Sequence, residues 1–313
     1  MSTTAPSATP TATPRATRTL PLAGGVLLAS RGGAASEGAA RLAAVFAARR
    51  HVSMEVLGVM EPIPSDIRDY APDVDRVLRD YRLQLSETLE AFLVRASIPT
   101  ATPVAIEEGR PADCIAHRAQ ARGAALIAIG IGRHAALDRL LGAETAIGIS
   151  RRTSVPVLAA TSDATAPARS IVIATDFSPA SQRAAELAMA LAADDAIVHL
   201  VHVWPWMNEV ERAADAATRR RVYEAGTRRM FDELIKSLPT HPAGCFVTHL
   251  RHGETETAII DLARDERADL IALGSHGRGF IDRLALGSVA ESVLRTGACS
   301  ILIAPPTPAE KES

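Results

Sequence analysis

The chain carries the same stretch twice. Residues Val26 to Leu42, VLLASRGGAASEGAARL, align without a gap on Ile171 to Leu187, IVIATDFSPASQRAAEL. The match resumes downstream, where Leu126-Ile-Ala-Ile-Gly meets Leu270-Ile-Ala-Leu-Gly, Gly109 meets Gly253, and Pro156-Val-Leu meets Ser300-Ile-Leu. One fold is therefore expected to occur twice, over residues 22–160 and 169–306. The joint between them, TSDATAPA at residues 161–168, has the polar, flexible composition of a linker.

Within each half, short apolar runs alternate with stretches of helical periodicity. In the second half the pattern predicts strands at Ile171 to Thr175, Ile197 to Val203, Cys245 to Leu250, Leu270 to Leu273 and Ser300 to Ala304. Helices are predicted between them at Pro179 to Ala193, Val210 to Leu238, Glu254 to Glu266 and Ser288 to Arg295. Such alternation with right-handed crossovers gives an α/β fold. Each repeat becomes an open, doubly wound, Rossmann-like sheet of five parallel strands with helices on both faces. On the long helix of each half, Leu78, Tyr81, Leu85, Leu89 and Phe92, and Met230, Phe231, Leu234, Ile235 and Leu238, recur every three or four residues. These are expected core positions.

Composition removes several function classes. A net charge of −2 gives no excess of basic groups for a nucleic-acid backbone. The one basic cluster, Arg219 to Arg221 with Arg228 and Arg229, lies among acidic residues and reads as a solvated helix face. No run of about 18 apolar residues occurs, so no membrane span is expected. Residues 1–21 are rich in Thr, Ala, Ser and Pro and read as a disordered tail. Cys114, Cys245 and Cys299 are odd in number and widely spaced, which fits buried thiols in a reducing compartment, the cytoplasm by default. His241, Cys245, His249 and His252 could be taken for a metal cluster, but CFVTHLRHG reads as a strand. Cys245 and His249 would then lie about 13 Å apart on one face, so no metal is assigned there.

The stretch richest in chemistry is Ala268 to Arg295. A buried strand ends at Gly274, followed by Ser275, His276, Gly277 and Arg278, and then Gly287, Ser288 and Val289 open a helix. Ser288 and Glu291 have capping-box spacing. Strand, glycine-rich loop and helix N-terminus in that order form an anion site, because glycine lets backbone N–H groups approach a phosphate and the helix dipole favours negative charge. In open α/β sheets the ligand lies beyond the carboxyl ends of the strands. This rule adds Ala174, Thr175, Asp176 and Phe177 at the end of one strand, with Ser178 and Pro179 as N-cap and first helical residue, and Val203 at the end of another. Read alone, Asp176 is equally a turn residue.

Gly274-x2-Gly277-x9-Gly287-Ser288, preceded by LIALG and followed by a helix and the closing strand, resembles the nucleotide-binding signature of the universal stress protein family. The resemblance covers Val26 to about Ala304 and implies an adenine-nucleotide alpha-hydrolase-like fold binding ATP, alone or with Mg2+. It implies that Asp176 contacts the base or ribose, and that Val203 lies where the adenine pocket forms. It further implies that the closing strand lies at a dimer edge, so that the two halves should pair as an intramolecular pseudo-dimer. A homodimer and an unknown protein partner also fall within what it allows.

The first half departs from the signature. Arg31 replaces Asp176, Ala143 replaces Ser288, and Gly130-x-Gly132 replaces the longer glycine spacing. Its site is expected to be degraded. Gly130-Ile-Gly-Arg-His-Ala135 matches a dinucleotide fingerprint, but it follows a late strand and no acidic residue lies about 20 positions on. Enzyme signatures GxxxxGK[ST], GxSxG, HExxH and CxxC do not occur. The sequence thus points to a binding or regulatory protein rather than an enzyme, with slow ATP hydrolysis left open. A nucleotide-free interaction protein, or an ATP-using enzyme of the same fold group, are the alternatives.

Overall fold

The computed structural model describes residues 24–63, 73–132, 136–204, 216–239, 245–277, 286–297 and 299–306. The tail at residues 1–21 and Arg278 lie outside them. In the first half, β1 (Val26–Ala29), β2 (Met54–Met60), β3 (Val104–Glu108), β4 (Leu126–Ile131) and β5 (Val157–Thr161) alternate with α1 (Glu37–Arg50), α2 (Val74–Arg95), α3 (Pro111–Ala121) and α4 (Ala136–Ser150). In the second, β6 (Ala168–Ala174), β7 (Ala192–Trp204), β8 (Cys245–His252), β9 (Leu270–Gly274) and β10 (Ser300–Ala304) alternate with α5 (Pro179–Met189), α6 (Ala216–Ser237), α7 (Thr255–Asp265) and α8 (Ser288–Thr296).

All ten strands form one sheet in the order β3-β2-β1-β4-β5-β10-β9-β6-β7-β8. Each half therefore has the order 3-2-1-4-5 counted from its own first strand, with every neighbour parallel. The halves join where β5 and β10 pair antiparallel, Leu302 opposite Leu158 and Ile301 opposite Ala159. This is the pseudo-dimer the repeat implied. It hides two edges that would otherwise offer unpaired backbone to solvent. Arg151 pairs with Glu291 at 2.5 Å, Arg295 with Glu144, and Arg49 with Asp194 at 2.9 Å, all across the two halves.

Because the central strands are covered on both sides, their middle positions are apolar: Val26, Leu27 and Leu28 are inaccessible, as are Ile171, Val172 and Ile173. Alternate residues feed two cores. One lies against α1, α2, α5 and α6 and contains Phe46, Phe92 and Phe231, and the other lies against α3, α4, α7 and α8. Leu85, Leu89 and Phe92 occupy the first core as expected, but Tyr81 is 36% exposed. Its hydroxyl accepts from Arg31 at 3.4 Å. The three thiols also depart from expectation: Cys245 is exposed, and Cys114 and Cys299 are half-buried. Cys245 opens β8, the sheet edge strand, whose residues are mostly accessible.

Candidate functional site

The second half's strand order reverses at β6, from which the chain runs outward to β7 and β8 and returns to β9 on the other side. Beyond the carboxyl ends of β6 and β9 lies a cleft with a volume of about 830 Å3, part of it open to solvent. This is where a doubly wound sheet is expected to take a ligand.

The β6 side is built by a tight, internally bonded turn. Thr175 Oγ1 accepts from the Phe177 amide at 2.9 Å, and Asp176 Oδ1 accepts from the Ser178 amide at 3.1 Å and its hydroxyl at 2.6 Å. Ser178 caps α5, accepting from the Ser181 amide at 3.3 Å, and Pro179 takes the first turn. Phe177 has φ of +60°, a costly region for a residue with a Cβ. Its buried ring packs 5.1 Å from His202 and 5.3 Å from Phe231, which holds the turn closed. Phe177 thus faces the core and does not line the cleft, whereas Ala174, Thr175 and Asp176 do.

The β9 side brings the glycines. A Cβ on Gly274 would stand 3.0 Å from the Ser181 amide, so glycine lets β9 end this close to α5 without displacing its first turn. Gly277, Ser275 and His276 line the cleft, with Ser275 Oγ 2.7 Å from His276 Nδ1. Gly287 donates to the Ser275 carbonyl at 2.7 Å and brings α8 back across the cleft mouth. Ser288 and Val289 complete that wall. Val203 lies on the opposite wall at the end of β7.

The expected capping box is not formed. Gly287 is the N-cap, with φ of −64° and ψ of 150°, and no side chain caps the helix. Ser288 is the first helical residue, so its hydroxyl is one position too late to reach the first-turn amides. Glu291 turns outward to Arg295 and Arg151 instead. The first-turn N–H groups of α8 have no intrahelical acceptors, and they open beside Gly287 toward the cleft.

Sequence reasoning missed His202, Ser181, Thr255 and Ile259, which also line the cleft. His202 Nδ1 lies 2.7 Å from the Thr175 carbonyl and Nε2 2.6 Å from the Tyr223 hydroxyl. The carbonyl can only accept, so Nδ1 donates to it, and the Tyr223 hydroxyl bonds the other ring nitrogen. The imidazole thereby ties the ends of β6 and β7 to α6. Thr255 and Ile259 belong to the helix after β8, which starts at the same edge of the sheet. The edge rule alone could have found them.

The equivalent position in the first half is built differently. α4 runs from Ala136 to Ser150, so Ala143, the counterpart of Ser288, is buried inside a continuous helix. No helix N-terminus exists there. The turn after β1 is tied up by its own arginines: Arg95 donates to the Gly32 carbonyl at 2.6 Å, and Arg31 reaches Tyr81.

Sheet order, paired halves and a glycine-lined cleft at a switch point define a tandem, doubly wound α/β protein. The sequence pattern of the universal stress protein family matches residues 25–160 and again 167–305, and the chain belongs to that family. It is 30% identical over 138 residues to a universal stress protein of Mycobacterium tuberculosis, covering 43% of this chain and 94% of that protein. It is 27% identical over 139 residues to one from Methanocaldococcus jannaschii, covering 43% of this chain and 81% of the other. Each such relative thus matches one half's length. A solved universal stress protein from Archaeoglobus fulgidus superposes with a TM-score of 0.60 at 20% identity, covering 91% of this chain and 99% of that one, which supports the tandem fold.

Proposed function

We propose that the protein is an ATP-binding regulator whose second half holds the nucleotide and whose first half serves as a structural partner. The observation that carries this reading is the convergence of Gly277, Gly287 and the start of α8 on the cleft that also receives Asp176. A Cβ on Gly287 would stand 3.2 Å from the Ser275 carbonyl and 3.4 Å from His276 Cα, so a side chain there would press on the loop that carries Ser275 and His276. The donor set suits a polyphosphate: backbone N–H groups at a helix start, the Ser288 hydroxyl, and no carboxylate on the α8 side of the lining. Asp176 is assigned to the base or ribose end, and Val203 to the apolar wall against the base. Ser288 and the start of α8 take the end of the phosphate chain, with Mg2+ as counter-ion when it is present.

Among the described residues the lining contains no lysine or arginine to act as the charge clamp of a fast phosphoryl-transfer enzyme; Arg278 lies outside them. The proposal is therefore binding with slow turnover, in the cytoplasm, with the loaded state read by a protein partner. The first test is chemical: protein purified without added nucleotide is denatured and its supernatant chromatographed. Adenine nucleotide approaching one equivalent per chain supports the reading. Its absence, together with no binding on adding ATP, favours the nucleotide-free interaction protein.

A further inference from the structure

His199 on β7, His249 on β8 and Glu266 at the end of α7 meet away from the cleft. His199 is four residues before Val203, about 13 Å along the strand. One ligand atom from each of the three lies within 4.8 Å of the other two. His199 stands between its neighbours, with Nδ1 3.1 Å from His249 Nε2 and Nε2 3.8 Å from Glu266 Oε2. We propose that these three side chains form a divalent transition-metal site, best suited to Zn2+, in which two imidazole nitrogens and one carboxylate oxygen leave a fourth position to solvent.

The donor set and spacing carry the proposal. A tetrahedral ion with nitrogen and oxygen ligands at about 2.0–2.2 Å separates them by roughly 3.3–3.5 Å, so the three ligand atoms, within 4.8 Å of one another here, have only to draw closer together. Binding requires one change: a turn of the His199 ring about Cβ–Cγ, a soft torsion, aims a single nitrogen at the ion and replaces the imidazole–imidazole hydrogen bond. Burial pushes both imidazoles below their ordinary pKa, with the charges of His199 and then Arg251 adding to the effect at His249 and Glu266 opposing it at both. His199 is buried, His249 half-buried and Glu266 exposed, which gives the ion an entry path.

The other half shows what a closed version of this place looks like. Strand register puts Glu55 where His199 stands, Leu27 facing the one and Val172 the other. Counting from Gly109 and Gly253 puts Arg122 where Glu266 stands. In the first half Glu55 is fully buried and paired with Arg118 and, at 3.3 Å, with Arg122. The charges are exchanged between the halves. Where arginines neutralise the first, the second presents imidazoles and an accessible carboxylate, and His249 replaces Ala105.

The test is a Zn2+ titration of nucleotide-free, full-length protein against a chromophoric chelator, repeated with Co2+ to read tetrahedral ligand-field bands. One ion per chain is expected. His249→Ala and Glu266→Gln, at accessible positions where folding is retained by circular dichroism, should each weaken it by at least about tenfold. Cys245→Ser, which removes the exposed thiol on the same strand, should leave it unchanged. Failure to bind a stoichiometric ion, binding that survives both ligand variants, or loss of binding in Cys245→Ser would each overturn the proposal.

Discussion

Asp176 and Gly277 face each other across the mouth of the cleft: a Cβ placed on Gly277 would stand 2.9 Å from Asp176 Oδ2. The acid from the β6 turn and the glycine from the β9 loop are thus within one side chain of contact, although about 100 residues separate them. Gly277→Val should displace the carboxylate and narrow the entrance. ATP affinity is expected to fall at least about tenfold with little change in Tm, as read by calorimetry and thermal denaturation. Unchanged affinity would remove this pair from the site.

Asp176 has two roles that two substitutions separate. Its Oδ1 holds the turn through the Ser178 amide and hydroxyl, so Asp176→Ala should lower the stability of unliganded protein by about 1 kcal/mol. Asp176→Asn keeps an oxygen acceptor but no charge, and should preserve Tm while weakening nucleotide binding. If Asn and Ala prove equal in both measurements, the carboxylate has only the turn to support.

Ser288 and Ser178 provide a second contrast. Ser178 is a true N-cap of α5, whereas Ser288 is already inside α8 and caps nothing. Ser178→Ala should cost roughly 1 kcal/mol of stability. Ser288→Ala should leave Tm unchanged and weaken ATP binding by about fivefold, the worth of one hydrogen bond near 1 kcal/mol. Chemical denaturation of both variants, beside their ATP titrations, checks the pair.

These two serines also mark how far the sequence could be read. The repeat, the parallel sheets and the convergence of Thr175, Asp176, Gly274, Gly277 and Gly287 were legible, because apolar runs, glycines and the sheet-edge rule act locally or through topology. The cap was not, since S-x-x-E spacing is satisfied whether the helix begins at Ser288 or one residue after it. Phe177 was assigned to the cleft by its position in the turn; its left-handed backbone sends the ring into the core. α5 ends at Met189 rather than Ala193, because Ala192 pairs with Ala168 at the sheet edge and sheet pairing overrides the helical preference of alanine. His202 was invisible because its use depends on Thr175 and Tyr223, which only the fold brings together.

The junction between the halves has its own pH signature. A hydrogen bond from Arg295, aided by the charges of Arg151 and Arg295, holds the Glu291 carboxyl below its ordinary value. A lowered folded-state pKa stabilises the protein above the ordinary carboxylate range and loses that contribution as pH falls through the folded value. Glu291→Gln should therefore lower Tm at neutral pH by about 2 °C or less, this being a partly exposed pair. The difference from the natural chain should begin to shrink below the ordinary glutamate value of about 4.3 and vanish only below the lowered folded value. A gap that persists in acid would assign the effect to packing.

Turnover is the property on which a regulator and an enzyme differ most. With no lysine or arginine among the described residues of the cleft lining, phosphate release from ATP should stay well below roughly 1 per second, the lower end of ordinary enzymes. Steady-state phosphate release with saturating Mg2+ and ATP measures it, and a rate in the ordinary range would contradict the binding role.

The central claim is one nucleotide site per chain, located in the second half. Isothermal titration of nucleotide-free protein with ATP tests it most directly, using the natural chain, Gly287→Val and Arg31→Ala. The predicted result is a stoichiometry of about one, abolished in Gly287→Val, where a branched side chain would press on the Ser275 carbonyl and His276, and unchanged in Arg31→Ala. Two sites per chain, or equal loss in both variants, would contradict it.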